Sequence, residues 1–294
     1  MTVLSVPMAE TAGSVTRRAR VLRRLRRNPL AVVSFVVLAL AIAIALLSPW
    51  LAPYSVDQTD FARTFAPPGT PGHLLGTDDL GRDVLSRIML GARASLLVGL
   101  LAVATSLVIG VPLGLAAGYF RAWDAVISRF TDLLLAFPFL IMAVGLAAIR
   151  GASLGNAAVA IGIAQIPGVI RVVRSDTLRL KSLDFVAAAV VDGAGDLWVL
   201  ARHILPNATS VILVQATVAI PAAILGEAVL SFLGLGIQPP APSLGTMLAT
   251  AQQFAARAPW AAVLPGVVIM GLALAFNVFG DALRDALDPK GDRR

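Results

Sequence analysis

The 294-residue chain is 57% hydrophobic and only 14% charged, with a mean hydropathy of +0.83. A soluble domain of this size carries charge on about a quarter of its residues, so water is not its main solvent. Cysteine is absent, which excludes disulfides and thiolate metal sites.

The formal net charge of +7 does not describe a groove-binding face, and no nucleic acid is expected as a partner. Arg17, Arg18, Arg20, Arg23, Arg24, Arg26 and Arg27 stand directly ahead of the first apolar run, and the rest of the chain is neutral. Residues 1–29 therefore read as a basic cytoplasmic tail, with 1–16 expected to be disordered. The run from Leu30 to Val56 contains no charged residue. It is too long for a signal-peptide core of about 7–15 residues, and it reads as an uncleaved transmembrane helix over 30–48.

Residues 49–93 form a long loop expected outside the cytoplasm. Within it Thr77, followed by Asp78 and Asp79, reads as a helix start, because a hydroxyl cap and acids suit exposed N–H groups. Leu80, Val84, Leu85 and Ile88 then share one face, which predicts an interfacial helix along the membrane surface. The second span, 94–118, carries Gly110, Gly114 and Gly118 at intervals of four, a spacing that lets helix backbones approach closely in lipid.

A helix needs about 20 mostly apolar residues to cross the hydrocarbon layer, and further runs of that kind lie at 130–149, 153–170, 208–234 and 260–280. The core spans 94–288, and 289–294 form a cytoplasmic tail. Lysine and arginine are retained on the cytoplasmic side. With the amino terminus inside, 18 of the 24 cationic residues fall in inner segments and 6 in outer ones. The expected fold is thus all-α, with six transmembrane helices and both termini cytoplasmic.

The inner loop from Arg171 to Asn207 is the most informative segment. Ser182 is placed to cap a helix through Phe185, Val186 and the alanines at 187–189; Gly193 and Gly195 interrupt it, and the apolar stretch that resumes is expected to stop at Pro206. A cytoplasmic loop that carries Trp198, Val199, Leu200, Ile204 and Leu205 needs something to cover them.

This spacing resembles the permease signature of bacterial ABC importers: Glu-Ala-Ala, three residues, Gly, nine residues and Ile-x-Leu-Pro. Ala188, Ala189, Gly193, Leu205 and Pro206 match, while Ala187 stands in place of glutamate and His203 in place of isoleucine. His73–Leu96, Leu225–Leu248 and the closing DALRDALDP near Asp281 are similar to the second permease of dipeptide and oligopeptide importers, with Leu244 where that branch commonly has tryptophan.

The resemblance implies a type I ABC importer permease fold in a bacterial cell membrane. It implies a coupling helix, with Ala187, Ala188, Ala189, Asp192, Gly193, Ala194, Gly195, Leu205 and Pro206 as the ATPase-docking segment. It further implies a second homologous permease, two cytoplasmic ATPases that bind the ATP and magnesium, and an extracytoplasmic binding protein that meets the 48–93 loop. Peptides are the implied substrate, with nickel chelates, glutathione or haem as alternatives.

Glu227 is the only acid well inside a predicted span. It reads either as lining a route that meets the ammonium end of a peptide, or as an interhelical or intersubunit hydrogen bond. Gln165, Asn277 and Asp132 read as structural, and His73 and His203 as surface polar residues, since no partner stands at metal spacing. The sequence has no G-x-x-x-x-G-K-[ST] stretch to cradle ATP phosphates, and no cofactor of its own is expected. An ion-driven secondary transporter would lead one to expect inverted repeats and several intramembrane ionisable groups, and a membrane enzyme a cluster of convergent polar residues; neither pattern is evident.

Overall fold

The computed structural model describes residues 21–287. The expected disorder over 1–16, most of the basic tail and the 289–294 tail lie outside the described residues. Residues 21–27 are helical and stop at Asn28, whose side chain accepts from the Leu30 and Ala31 amides (3.0 and 3.4 Å) and so caps helix α1, Pro29–Leu51. Only Ala31, Ser34, Leu38, Ala45 and Ser48 of α1 are buried, a single stripe at helical spacing. The other faces are apolar and bare, as lipid requires.

Helix α2, Val84–Tyr119, has 36 residues, about 54 Å at 1.5 Å per residue against a hydrocarbon layer of about 30 Å. It replaces the expected interfacial helix. The Thr77 hydroxyl does not cap a helix but donates to the Arg63 carbonyl and accepts from the Ala66 amide. Asp78 accepts from the Leu80 and Arg82 amides and closes a turn. Asp83 is the cap, accepting from the Ser86 amide at 2.8 Å.

The single span expected over 130–149 is two helices, α3 (Arg121–Ala136) and α4 (Phe139–Arg150), meeting at 82°. Phe137 is extended, because a proline ring disfavours helical backbone in the residue before it. Hydropathy is blind to this break, since both sides of Pro138 are apolar.

Helix α5, Leu154–Lys181, is capped by Ser153 and runs well past the expected end at 170. Helix α6 is Asp184–Val191, and α7, Asp196–Val199, passes through a π turn at Leu200–Ile204 into α8, Leu205–Phe232. Helix α9 is Leu244–Gln252, started by a capping box of Ser243 and Thr246, and α10 is Pro259–Leu287. Counting α3 and α4 as one broken span, six segments among the described residues are long and apolar enough to cross a membrane. Among the described residues there is no strand, only two isolated bridges.

The bundle is centred on α2 and α5, the most extensively packed pair. The glycine ladder is the reason: a Cβ placed on Gly110, Gly114 or Gly118 would stand 2.7, 2.7 and 2.5 Å from the Cβ atoms of Val169, Val173 and Thr177. Helix α8 packs on both, α10 packs on α8 and α1, and α9 wedges between α8 and α10. Leu38 of α1 reaches Ala275 and Phe276 of α10, with Phe35 and Phe279 rings 5.9 Å apart.

Candidate functional site: the 182–207 arm

Between α5 and α8 the chain leaves the bundle as a short arm and returns. The arm helix α6 begins at Asp184, and Leu183 before it offers no side-chain cap. Ser182, expected to cap it, donates instead to the Arg179 carbonyl at the end of α5.

Its other end is set by Gly193. The Ala194 amide donates to the Ala189 carbonyl and the Gly193 amide to the Val190 carbonyl, both at 3.0 Å. This is the paired bonding of a Schellman stop, which needs a left-handed residue between the two helices. Gly193 supplies it with φ 84°. A side chain there would meet nothing within 4 Å, so backbone conformation, and not space, demands glycine.

Pro206 does not stop a helix. It lies in the first turn of α8, and the helical path runs unbroken from Asp196 to Phe232, 37 residues. A proline ring clashes with the carbonyl four residues earlier and offers no N–H. A wider turn precedes it, in which the Leu205 amide bonds the Leu200 carbonyl, five residues back, and the Asn207 side-chain amide donates to the His203 carbonyl at 2.7 Å.

The arm has two unlike faces. Val186, Ala189, Val199, Leu200, Ile204 and Ala208 are buried in one cluster with Leu115 and Tyr119 of α2 and Val173 and Leu180 of α5. The opposite face is bare: Val191 is 85% exposed, Leu197 76% and Trp198 53%. Phe185, Ala188, Asp192, Ala194, Trp198 and His203 surround an open hollow of about 540 Å³. The His203 ring lies 4.8 Å from that of Trp198 and 6.2 Å from that of Phe185, so it is part of an aromatic wall and not a free surface group.

Of the residues expected to dock the ATPase, Ala187, Ala188, Asp192, Gly193 and Gly195 are exposed, Ala189 is buried beneath them, and Ala194 is intermediate. Leu205 and Pro206 sit apart from the hollow at the head of α8. Ala187 points outward, so a carboxylate at this position would project from the arm. Sequence reading did not single out Tyr119 and Lys181, which hold the arm's two roots; the available signal was that Lys181 is one of only two lysines in the chain.

Glu227 is fully buried. Ser95 of α2 donates to Oε2 at 2.5 Å and Ser231 donates to Oε1 at 2.6 Å. Both oxygens thus accept a hydrogen bond inside the packing of α2 and α8.

Gln165 of α5 donates to the Ala219 carbonyl of α8 at 3.2 Å. Asn277 bonds Ala273 within its own helix. Asp132 meets Arg171 across an exposed gap of 3.5 Å. His73 is a correction: it is buried, with Nδ1 3.0 Å from Asp83 Oδ1. Leu244 is wholly buried in a cluster with Val84, Ile88 and Met247, so side-chain size at this position sets the contact of α9 with α2.

Comparison with known proteins places this architecture. Residues 110–292 match the family model of the binding-protein-dependent transport system inner membrane component, and residues 16–68 match that of the N-terminal transmembrane domain of oligopeptide transport permease C. The chain is 44% identical over 281 residues to the dipeptide transport system permease protein DppC of Alkalihalophilus pseudofirmus, covering 95% of this chain and 91% of that one. It is 46% identical over 255 residues to the di/tripeptide permease DppC of Pseudomonas aeruginosa, covering 84% and 83%. Against the glutathione permease GsiD of Pectobacterium atrosepticum it is 44% identical over 270 residues, covering 91% and 89%.

Among solved structures, a chain of the MetNI methionine ABC transporter in an inward-facing conformation has a TM-score of 0.55 at 18% identity, covering 68% of this chain and 97% of that one. That likeness is one of fold. With relatives this similar over nearly its full length, the chain belongs to the family of binding-protein-dependent transport system inner membrane components and is a multi-pass protein of the bacterial inner membrane.

Proposed function

We propose that this chain is one of two permease subunits of an ATP-driven importer of di- and oligopeptides. The 182–207 arm docks on a cytoplasmic ATPase, and both termini lie on that same side. ATP and magnesium belong to the two ATPase subunits, and this chain supplies half of the translocation path. A binding protein delivers substrate to the opposite face, where residues 52–83 form a folded cap.

The carrying observation is the two-faced arm. Its underside is sealed to α2 and α5, while Val191, Leu197 and Trp198 stand bare and Trp198 borders an open hollow. Apolar surface of this kind on an aqueous face marks a protein contact. The excess of cationic residues in the segments that share the arm's side supports its cytoplasmic placement. Relatives named for dipeptide and di/tripeptide transport support the substrate class. A glutathione permease of equal identity makes glutathione, itself a tripeptide, the second reading.

Purification of the complex in mild detergent tests the docking. ATPase subunits should remain bound to the natural chain and be lost with Trp198→Asp, which alters an exposed position and leaves the bundle intact. Retention that ignores the charge, or labelling of a cysteine at Leu197 from outside the cell, would overturn the assignment. Uptake that persists without the ATPases would favour an ion-driven carrier.

A further inference from the structure

The two roots of the arm converge on one side chain of another helix. Lys181, the last residue of α5, donates from Nζ to the Tyr119 carbonyl at 2.6 Å and lies 4.7 Å from the centre of the Tyr119 ring. Asp196, the first residue of α7, accepts from the Tyr119 hydroxyl at 2.9 Å through Oδ1. Tyr119 closes α2 and is 6% exposed.

Each contact suits its chemistry. The Tyr119 carbonyl belongs to the last turn of α2, where carbonyls lack intrahelical partners and a cation is favoured. A compact ammonium can reach this oxygen while resting against a ring face, which a planar guanidinium fork does not do in the same way. The hydroxyl, at the far side of the same ring, is held by a carboxylate. Charge-assisted bonds of both kinds are the stronger class.

Between these anchors lies the whole of α6 and the Gly193–Gly195 turn. We propose that Tyr119 is a positioning residue for transport: it couples displacement of the arm to α2, so that nucleotide-driven motion at the docking face moves the membrane core. The proposal rests on the docking reading given above.

It predicts a separation of hydrolysis from movement. The absence of cysteine allows a spin-label pair to be introduced at Leu100→Cys on α2 and Met270→Cys on α10, both at exposed positions. In the purified complex with its ATPases, the label distance is compared without nucleotide and after trapping with ATP and vanadate. Tyr119→Phe removes only the hydroxyl.

The expected result is retained ATPase subunits and hydrolysis within about twofold of the natural complex, with the population reaching the trapped distance falling about tenfold, the scale of one bond to a charged group. Asp196→Ala, which removes the acceptor of the same contact from the other side, should give the same loss, and the double variant should lose no more than either alone. An unchanged trapped distance with ATPases bound would overturn the role of Tyr119 alone. ATPases missing from the natural complex would overturn the docking reading and the coupling role together.

Discussion

Adding one methyl group at Gly114 probes the contact on which the bundle is built. The new Cβ would stand 2.7 Å from Val173 Cβ and 3.0 Å from the Ile170 carbonyl oxygen. Carbon pairs rest at about 3.5–4.0 Å, so α5 must retreat by about 1 Å, and a gap of about 0.5–1 Å forfeits a quarter to a half of the dispersion attraction at each contact it opens. In lipid there is no hydrophobic drive to offset this, because helix association rests on packing itself. Overpacking of a close site costs about 1–3 kcal/mol, and alanine returns about 0.5–1 kcal/mol through its greater helix preference. The expected net loss is therefore about 0–2.5 kcal/mol, against a gain for an alanine placed in open space.

Reversible unfolding of the detergent-solubilised protein by SDS, followed by tryptophan fluorescence, measures it. Gly145→Ala on α4 is the control, since a Cβ there meets nothing within 4 Å, and it should be neutral or stabilising. Gly110→Ala, Gly114→Ala and Gly118→Ala combined should cost less than the sum of the three, because one retreat of α5 relieves every clash. Val173→Ala should not rescue Gly114→Ala, since the offending atom is the Cβ that alanine keeps. If Gly114→Ala were as stable as Gly145→Ala, the close approach of α2 and α5 would be wrong.

Gly193→Ala forces an L side chain into left-handed backbone at about 1–2 kcal/mol. Hydrogen exchange of the 184–196 amides should then rise about 5–30-fold, and unchanged protection would discard the Schellman stop. Glu227→Leu leaves the Ser95 and Ser231 hydroxyls without their acceptor and should cost about 1–3 kcal/mol. Glu227→Gln, which keeps a hydrogen-bonding group for each, should cost less in the same SDS titration; equal losses would count against the paired-serine account. Asp83→Ala should lose about 0.5–2 kcal/mol as a helix cap and also strand His73, whereas Asp83→Asn keeps the capping oxygen; thermal unfolding should rank alanine as the more damaging.

Sequence alone was a good guide wherever a property is local. Charge-free runs located α1, α2, α5, α8 and α10, and the four-residue glycine spacing announced a close helix contact on α2, whose partner α5 only the structure identifies. Gly193 marked the arm's turn. What escaped depends on neighbours distant in the chain or on backbone detail. Glu227 finds Ser95 132 residues away, a pairing that no window of sequence contains. Thr77, Asp78 and Asp79 carry good helix-start chemistry, but the Arg63 carbonyl and the Ala66 amide claim the threonine first. Pro138 and Pro206 show the limit of proline as punctuation: one splits an apolar run at 82°, while a widened turn carries the helix through the other.

The unbroken path from Asp196 to Phe232 has a mechanical consequence. At 37 residues it is a lever of about 55 Å, rooted at one end in the arm and longer than the hydrocarbon layer of about 30 Å. Tilting such a lever by about 10° swings its distant tip by about 10 Å. A small rocking of the exposed hollow is thereby magnified at the other end of the helix, and the π turn at Leu200–Ile204 and Pro221 in the helix interior are the places where the lever would yield if it were bent too far.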